Sequence, residues 1–199
     1  MKILAFTDVH ADKNAILKIK DKAVRYKPDF LVCCGDLSLF GKGLEEGARF
    51  LDSLGIKTLM IPGNHETPEE IKDICSKNKN IINIHQGAYD YEDYILFGWG
   101  TGGFSFVEDK FERIAKQFIK TYDKNKKLIF ITHAPIYGTN LDLLSMGHRG
   151  CKSTRDFIEE VQPVLVLCGH FHENFKKQDK IKKTLIVNPG DDGMFLELK

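Results

Sequence analysis

The chain has 199 residues, 42% hydrophobic and 29% charged, enough for a substantial core within one domain, residues 1–199. Its formal net charge of +1 removes any global electrostatic case for nucleic acid or an anionic membrane surface, while leaving local anion binding open. Five cysteines, odd in number, irregularly spaced and without a CxxC pair, argue against a disulfide framework or a structural zinc site. Free thiols in a reducing compartment fit instead. The N-terminus turns polar too soon for a signal peptide and no apolar run nears a bilayer span, so a cytoplasmic protein without membrane contact is expected.

Lys2 to Thr7 is a short apolar run that predicts a buried strand, and it stops at Asp8-Val9-His10. From Asp12 to Tyr26, apolar residues at Ala15, Ile16, Ile19, Ala23 and Val24 follow an approximately helical period, closed by Pro28. Phe30 to Cys34 is a second buried strand, ending at Gly35-Asp36. Leu44 to Leu54 is helical, with Gly55 as its stop, and Lys57 to Ile61 is a third strand, ending at Gly63-Asn64-His65-Glu66. Thr67-Pro68-Glu69-Glu70 carries the signals of a helix start: a cap, a first-turn proline and acidic residues at the positive end. Strand and helix thus alternate three times, which predicts a sheet of mostly parallel neighbours.

In the middle of the chain, Ile81 to Ile84, Ala88 to Asp90 and Tyr94 to Gly98 read as short strands. The glycine-rich loop from Gly98 to Gly103, with Trp99 and Thr101, has neither phosphate-loop nor dinucleotide spacing. Phe111 to Tyr122 is an amphipathic helix, and Lys127 to Thr132 a strand ending at His133-Ala134-Pro135. A polar segment from Tyr137 to Gly150 precedes a helix from about Thr154 to Val161. Val164 to Cys168 is then a strand, and Phe171 to Lys177, Lys182 to Val187 and Gly193 to Leu198 read as three antiparallel strands. The basic run Lys176 to Lys183 lacks interleaved aromatics, so a solvated hairpin explains it better than a nucleic-acid patch.

The apolar run into Cys168 presents Gly169-His170-Phe171-His172, and in an extended segment the two imidazoles would share one face and could share a metal. Other strand ends carry Asp8 and His10, Asp36, Asn64 and His65, and His133. Five of the seven histidines are in this set. Taken singly, Asp8 or His133 reads as a strand-end cap or a satisfied polar residue. Eight such residues at the ends of five strands argue against that reading, because ligands of open α/β sheets bind beyond the carboxyl ends of strands. Carboxylate, imidazole and amide together suit one or two divalent ions, and hydrolytic pairs of ions sit roughly 3.5–4 Å apart.

Asp8-x-His10, Gly35-Asp36, Gly63-Asn64-His65-Glu66, His133 and Gly169-His170-x-His172 together resemble the five blocks of the calcineurin-like metallophosphoesterase superfamily, in order and across nearly the whole chain. The resemblance is greatest to its small prokaryotic phosphodiesterases, which share Thr132-His-Ala-Pro135, Tyr137-Gly138 and Asn188-Pro-Gly190. It implies an α/β fold, a four-layer αββα sandwich of two mixed sheets flanked by helices. It further implies two divalent ions, manganese foremost, with iron, zinc, nickel and cobalt also suited. Asp8, His10 and His172 would hold one ion and Asn64, His133 and His170 the other, with Asp36 and a hydroxide bridging. His65 would sit by the leaving oxygen as acid or electrostatic stabiliser.

Departures from the family narrow the substrate. Leu39 and Phe40 stand where the Ser/Thr protein phosphatases carry an aspartate and an arginine, and Leu39 stands where purple acid phosphatases carry a tyrosine ligand. Both branches are disfavoured. The expected activity is dimetal phosphodiester hydrolysis of a small phosphoester, with nucleotide-type esters among the candidates. A phosphomonoesterase using Arg149 for the extra charge and a non-catalytic scaffold, as in the related retromer subunit, are the alternatives. His148 and Arg149, in a loop between the His133 and His170 blocks, are candidate substrate contacts, and the glycine-rich loop could also line the site. His85 lies outside the pattern and reads as structural.

Overall fold

The computed structural model describes residues 1–100 and 102–198. Its first sheet is built from β1 (Lys2–Phe6), β2 (Phe30–Cys33), β3 (Thr58–Met60) and β4 (Ile81–Asn83), all parallel, with β13 (Met194–Glu197) added antiparallel to β1 in the order β13-β1-β2-β3-β4. The second sheet runs β11-β12-β10-β7-β6-β5, from β5 (Gly87–Tyr91), β6 (Tyr94–Trp99), β7 (Lys127–Thr132), β10 (Leu165–Leu167), β11 (Gln178–Ile181) and β12 (Thr184–Val187). Its central four strands are parallel and its two edges antiparallel, while β8 (Leu143–Leu144) and β9 (Gly147–His148) form a separate antiparallel pair. Both sheets are therefore mixed.

Alternation along the strands sorts side chains into layers. Ile3 and Ala5 of β1, Ile129 and Ile131 of β7, and Leu165 and Leu167 of β10 share one cluster between the two sheets. Leu4 and Phe6 turn the other way, onto α1 (Lys13–Tyr26), α2 (Leu44–Ser53) and α3 (Pro68–Lys77). Phe130 and Val166 turn onto α4 (Asp109–Thr121) and α5 (Lys152–Val161). The result is the four-layer αββα arrangement, and it explains why the strands read as unbroken apolar runs: both faces are covered.

Local signals set the helix ends. Asp12 caps α1 by accepting from the Asn14 amide, and Lys27, left-handed at φ 48°, ends it before Pro28. Thr67 and Glu70 form a reciprocal capping box on α3 with Pro68 at its start. Among the described residues, no helix is long and apolar enough to cross a membrane.

Three expectations need correction. Phe171–Lys177 is not a strand: Phe171 and Asn174 are buried, Asn174 donates its side-chain amide to the Leu141 carbonyl at 2.7 Å, and residues 172–174 form a 3-10 turn. Met194–Glu197 does not extend the hairpin β11–β12 but crosses to the other sheet, pairing with Lys2–Ala5. Helix α5 begins two residues before Thr154, because Ser153 and Thr154 are buried in its first turn, bonding Glu112 and the Cys151 carbonyl instead of capping from outside. The basic run lies in the β11–β12 hairpin as expected, except that Lys176 turns inward to the Pro189 and Gly193 carbonyls and pairs with Asp192.

Candidate metal centre

Both sheets direct the carboxyl ends of their parallel strands to one common edge, and the polar residues following β1, β2, β3, β7 and β10 meet there. The meeting crosses the sandwich. His133, from the second sheet, puts Nε2 3.4 Å from Oδ2 of Asp36, from the first. His10 and His172, also from opposite sheets, bring their Nε2 atoms to 3.1 Å.

Three ligand groups result: Asp8, His10 and His172; His10, Asp36 and His65; and Asp36, His133 and His170, with ligand atoms within 4.8 Å of one another in each. Asp36 Oδ2 stands 3.4 Å from His133 Nε2 and 3.9 Å from His10 Nε2, between the first and last groups. Asn64 joins His133, its Oδ1 3.0 Å from Nε2. His170 and His172 thus fall in different groups. They do so because His170 takes a left-handed backbone (φ 73°) and His172 opens the 3-10 turn, whereas an extended pair would face one way.

The donor set suits divalent ions by its hydrogen bonding. His133 Nδ1 donates to the Cys34 carbonyl at 2.9 Å and His10 Nδ1 to the Ser38 carbonyl at 3.3 Å, so in each ring the Nε2 lone pair faces the cleft. At His133 that lone pair meets the Asn64 oxygen, an acceptor, with no proton to share. Asp8 Oδ1 and His170 Nε2 are buried and have no hydrogen-bond partner. A buried polar atom without a hydrogen bond costs about 1–3 kcal/mol, a deficit that a cation bound by the carboxylate oxygen and an imidazole lone pair would remove.

Electrostatics agree. Burial pushes the Asp8 carboxyl up, but His172, the nearby His133, the Thr7 hydroxyl and the His170 amide together outweigh it and bring its pKa to about 2. Burial, followed by His133, lowers His170 to about 4, and burial also lowers His10 against the pull of Asp36. His172 is raised, by the Asp8 carboxylate beside it. At neutral pH, Asp8 is thus an anion and His170 a neutral imidazole, the forms that coordinate metals.

One buried residue was present in the Gly63–Glu66 block without an assigned task. Glu66 accepts from the Asp36 and Gly63 amides at 3.0 Å each, from the Ser38 amide at 2.7 Å and from the Ser38 hydroxyl at 2.8 Å. It ties the loop after β2 to the loop after β3 and so sets where Asp36 stands. Its sequence signal was a carboxylate directly after the histidine of a glycine-containing strand end. Burial and then Asp36 raise its pKa. Gly63 is required by close approach, since a Cβ there would overlap Asp36 Oδ1.

The cleft above these groups, about 390 Å³, is lined by His10, Asp36, Leu39, Asn64, His65, Phe104, His170 and His172. No Lys or Arg is among them. His65 places Nε2 3.8 Å from Asp36 Oδ2, and its Nδ1 accepts the Phe40 amide at 3.2 Å. His148 and Arg149 are not among the lining residues. Asp142, wholly buried, holds His148 Nδ1 at 2.7 Å and accepts the Gly138, Thr139 and Gly150 amides, so it organises the 137–150 segment around itself. The glycine-rich loop does reach the site's edge, through Phe104 just beyond it, while position 101 lies outside the described residues. His85 is spent on structure, its Nδ1 accepting the Gly100 amide at 2.9 Å.

Residues 1–174 match the sequence model of the calcineurin-like phosphoesterase family. An uncharacterized protein of Methanocaldococcus jannaschii, MJ1162, is 32% identical across 98% of this chain and 91% of its own. A probable cyclic nucleotide phosphodiesterase of Synechococcus is 24% identical over 74% of this chain and 59% of its own. Among solved structures, TT1561 of Thermus thermophilus superposes with a TM-score of 0.76 at 20% identity, covering 96% of this chain and 89% of its own.

Proposed function

The chain belongs to the calcineurin-like phosphoesterase family, and on that premise we propose that it is a dimetal-dependent phosphodiesterase. Asp8, His10 and His172 would hold one divalent ion and Asn64, His133 and His170 the other, with Asp36 a ligand available to both. When bound, the two ions supply Lewis acidity at the phosphoryl group and a lowered pKa for the attacking water. The observation that carries the reading is the pair of buried polar atoms without a hydrogen bond, Asp8 Oδ1 and His170 Nε2, one in each ligand group.

His65 acts on the departing oxygen. With Nδ1 occupied by the Phe40 amide, the ring's own proton is on Nε2. Giving that proton up would leave an anionic ring, so His65 is a hydrogen-bond donor to the leaving oxygen rather than its proton source. The absence of Lys and Arg from the cleft lining supports a substrate with one negative charge at phosphorus over a dianionic monoester. Arg149, the residue a monoesterase would need, is not among the lining residues. The similarity to a probable cyclic nucleotide phosphodiesterase favours diesters in the same direction.

The test is metal titration of chelator-treated protein, with turnover of bis-p-nitrophenyl phosphate compared with p-nitrophenyl phosphate. The diester should turn over faster with manganese, and with zinc, nickel, cobalt or iron tried in its place. Alanine at Asp36 should abolish metal binding and turnover together. A variant that kept turnover would remove the mechanism, and a faster monoester would reverse the substrate class.

A further inference from the structure

We infer that Phe40 and Phe104 are specificity contacts, two aromatic platforms beside the metal centre that receive planar rings esterified to the phosphate. Nucleoside-type diesters are then preferred over alkyl and lipid diesters. The inference rests on the phosphodiesterase reading and adds the residues that choose the substrate's arms.

Phe104 and Phe40 are the most exposed large hydrophobic side chains described, at 78% and 74%. Burying a phenylalanine is worth about 1.5–3 kcal/mol, so two left open, Phe104 in the cleft lining and Phe40 against the ring of the lining residue His65, are a forgone gain. Neither hangs loose. Phe40 lies over the His65 ring with centroids 3.9 Å apart, in a turn that is left-handed at Phe40 itself (φ 51°) and tied to His65 through the Phe40 and Gly41 amides. A non-glycine residue in that region costs energy, and such strain concentrates at ligand sites. Phe104 and His170 meet at right angles with ring centroids 4.4 Å apart, and Gly103 before it approaches the His170 ring so closely that a Cβ would be 2.7 Å from Cε1. Each phenylalanine is therefore fixed against one working histidine while keeping most of its surface free.

The shape selects planar partners. Among the described residues lining the cleft, Leu39 is the one aliphatic side chain, so the cleft itself offers an acyl chain little surface to lie on. A ring stacked on Phe40 belongs to the arm leaving past His65. A ring on Phe104, beside His170, belongs to the arm that stays on phosphorus.

Two esters that share p-nitrophenolate as leaving group separate these roles: thymidine 5′-p-nitrophenyl phosphate and methyl p-nitrophenyl phosphate, assayed on the metal-loaded protein. The wild type should favour the nucleoside ester in kcat/KM by roughly 5- to 100-fold, the range that one base stacked on one aromatic side chain provides. Phe104→Leu should collapse that ratio towards one, and Phe104→Trp should keep it. Phe40→Leu should raise KM for both esters alike and leave the ratio in place. As a readout apart from turnover, Phe104→Leu should weaken calorimetric binding of thymidine monophosphate by a similar factor without changing that of inorganic phosphate. Equal wild-type rates on the two esters, a ratio unmoved in Phe104→Leu, or faster hydrolysis of a dodecyl than of a nucleoside ester would overturn the inference. Wild-type protein that hydrolysed neither ester would instead remove the phosphodiesterase reading beneath it.

Discussion

Replacing Glu66 by glutamine keeps shape and removes one acceptor oxygen, which makes it a sharp test of how Asp36 is held. Glu66 Oε2 accepts the Asp36 and Gly63 amides, and Oε1 accepts the Ser38 amide and hydroxyl. A glutamine must turn its NH2 towards one of these pairs. Facing Asp36 and Gly63, it leaves two buried N–H groups without a partner. Facing Ser38, it strands only one, because a hydroxyl can accept from the new NH2. The second orientation is cheaper, and one stranded buried N–H costs about 1–3 kcal/mol, so a loss of about 2 kcal/mol is expected. For a chain of this size that lowers Tm by roughly 4–8 °C. In that orientation the Asp36 amide keeps its acceptor and only the Ser38 amide loses one, so Asp36 shifts only through the loosened loop after β2 and metal affinity should fall by no more than roughly 10-fold, the low end for losing a partner behind a metal ligand. Thermal melts of the chelated protein and competition with a chelating dye read the two quantities separately. Ser38→Ala, which removes the hydroxyl that donates to the Glu66 carboxylate and accepts the Gly41 amide, should cost about 1.5–3 kcal/mol while leaving the Ser38 amide bond in place. A Glu66→Gln protein with unchanged Tm and unchanged metal affinity would refute the clamp.

Two further expectations follow from neighbouring positions. Gly63→Ala puts a Cβ onto Asp36 Oδ1, so it should weaken metal binding more than Glu66→Gln does, measured by the same competition assay, with circular dichroism confirming the fold. His85, pushed down to about 4 by burial and then by Lys110, stays neutral in the fold while the unfolded chain takes up its proton near the ordinary value of 6.5. Between those values the unfolded state binds more protons, so His85 contributes stability above pH 6.5 that is lost as pH falls towards 4. Allowing for its partial exposure this is about 1–2 kcal/mol. His85→Asn, which keeps an acceptor for the Gly100 amide, should flatten the urea-denaturation profile across that window, and equal slopes would contradict the assignment.

Periodicity was enough for the strands that carry the site, because β1, β2, β3, β7 and β10 are covered on both faces and therefore read as short, unbroken apolar runs ended by polar residues. The pairing of β13 was not legible. Its alternation says that one face is buried and nothing about which sheet supplies the neighbour, a choice made by contacts nearly the whole chain apart. Residues 171–177 are not a strand for a reason the sequence shows only in part: Phe171 and Phe175 stand four apart with no strand alternation between them, and burial of Asn174 against Leu141 fixes a turn. His148 carried a chemically suggestive side chain, and only the fold reveals that the buried Asp142 takes it up.

The ligand residues themselves expose a limit of strand logic. A side chain on a strand points perpendicular to its sheet, so a residue that must reach past the sheet's end cannot remain in β conformation. Asp8, His10, Asp36 and His170 all leave it for the left-handed region, at φ 53°, 49°, 54° and 73°. Each such residue costs about 1–3 kcal/mol and persists only where its surroundings over-determine it. Here the strained residues constrain one another. The Asp8 amide donates to the Gly35 carbonyl, the His10 amide to the Asp36 carbonyl, the Asp36 amide to Glu66, and the His170 amide to the Asp8 carboxylate. Four strand ends from two sheets thus fix one another's positions before any ion arrives. The same left-handed turn that strains His170 carries its imidazole away from that of His172, so an HxH pair that strand geometry would aim at one ion serves two ligand groups.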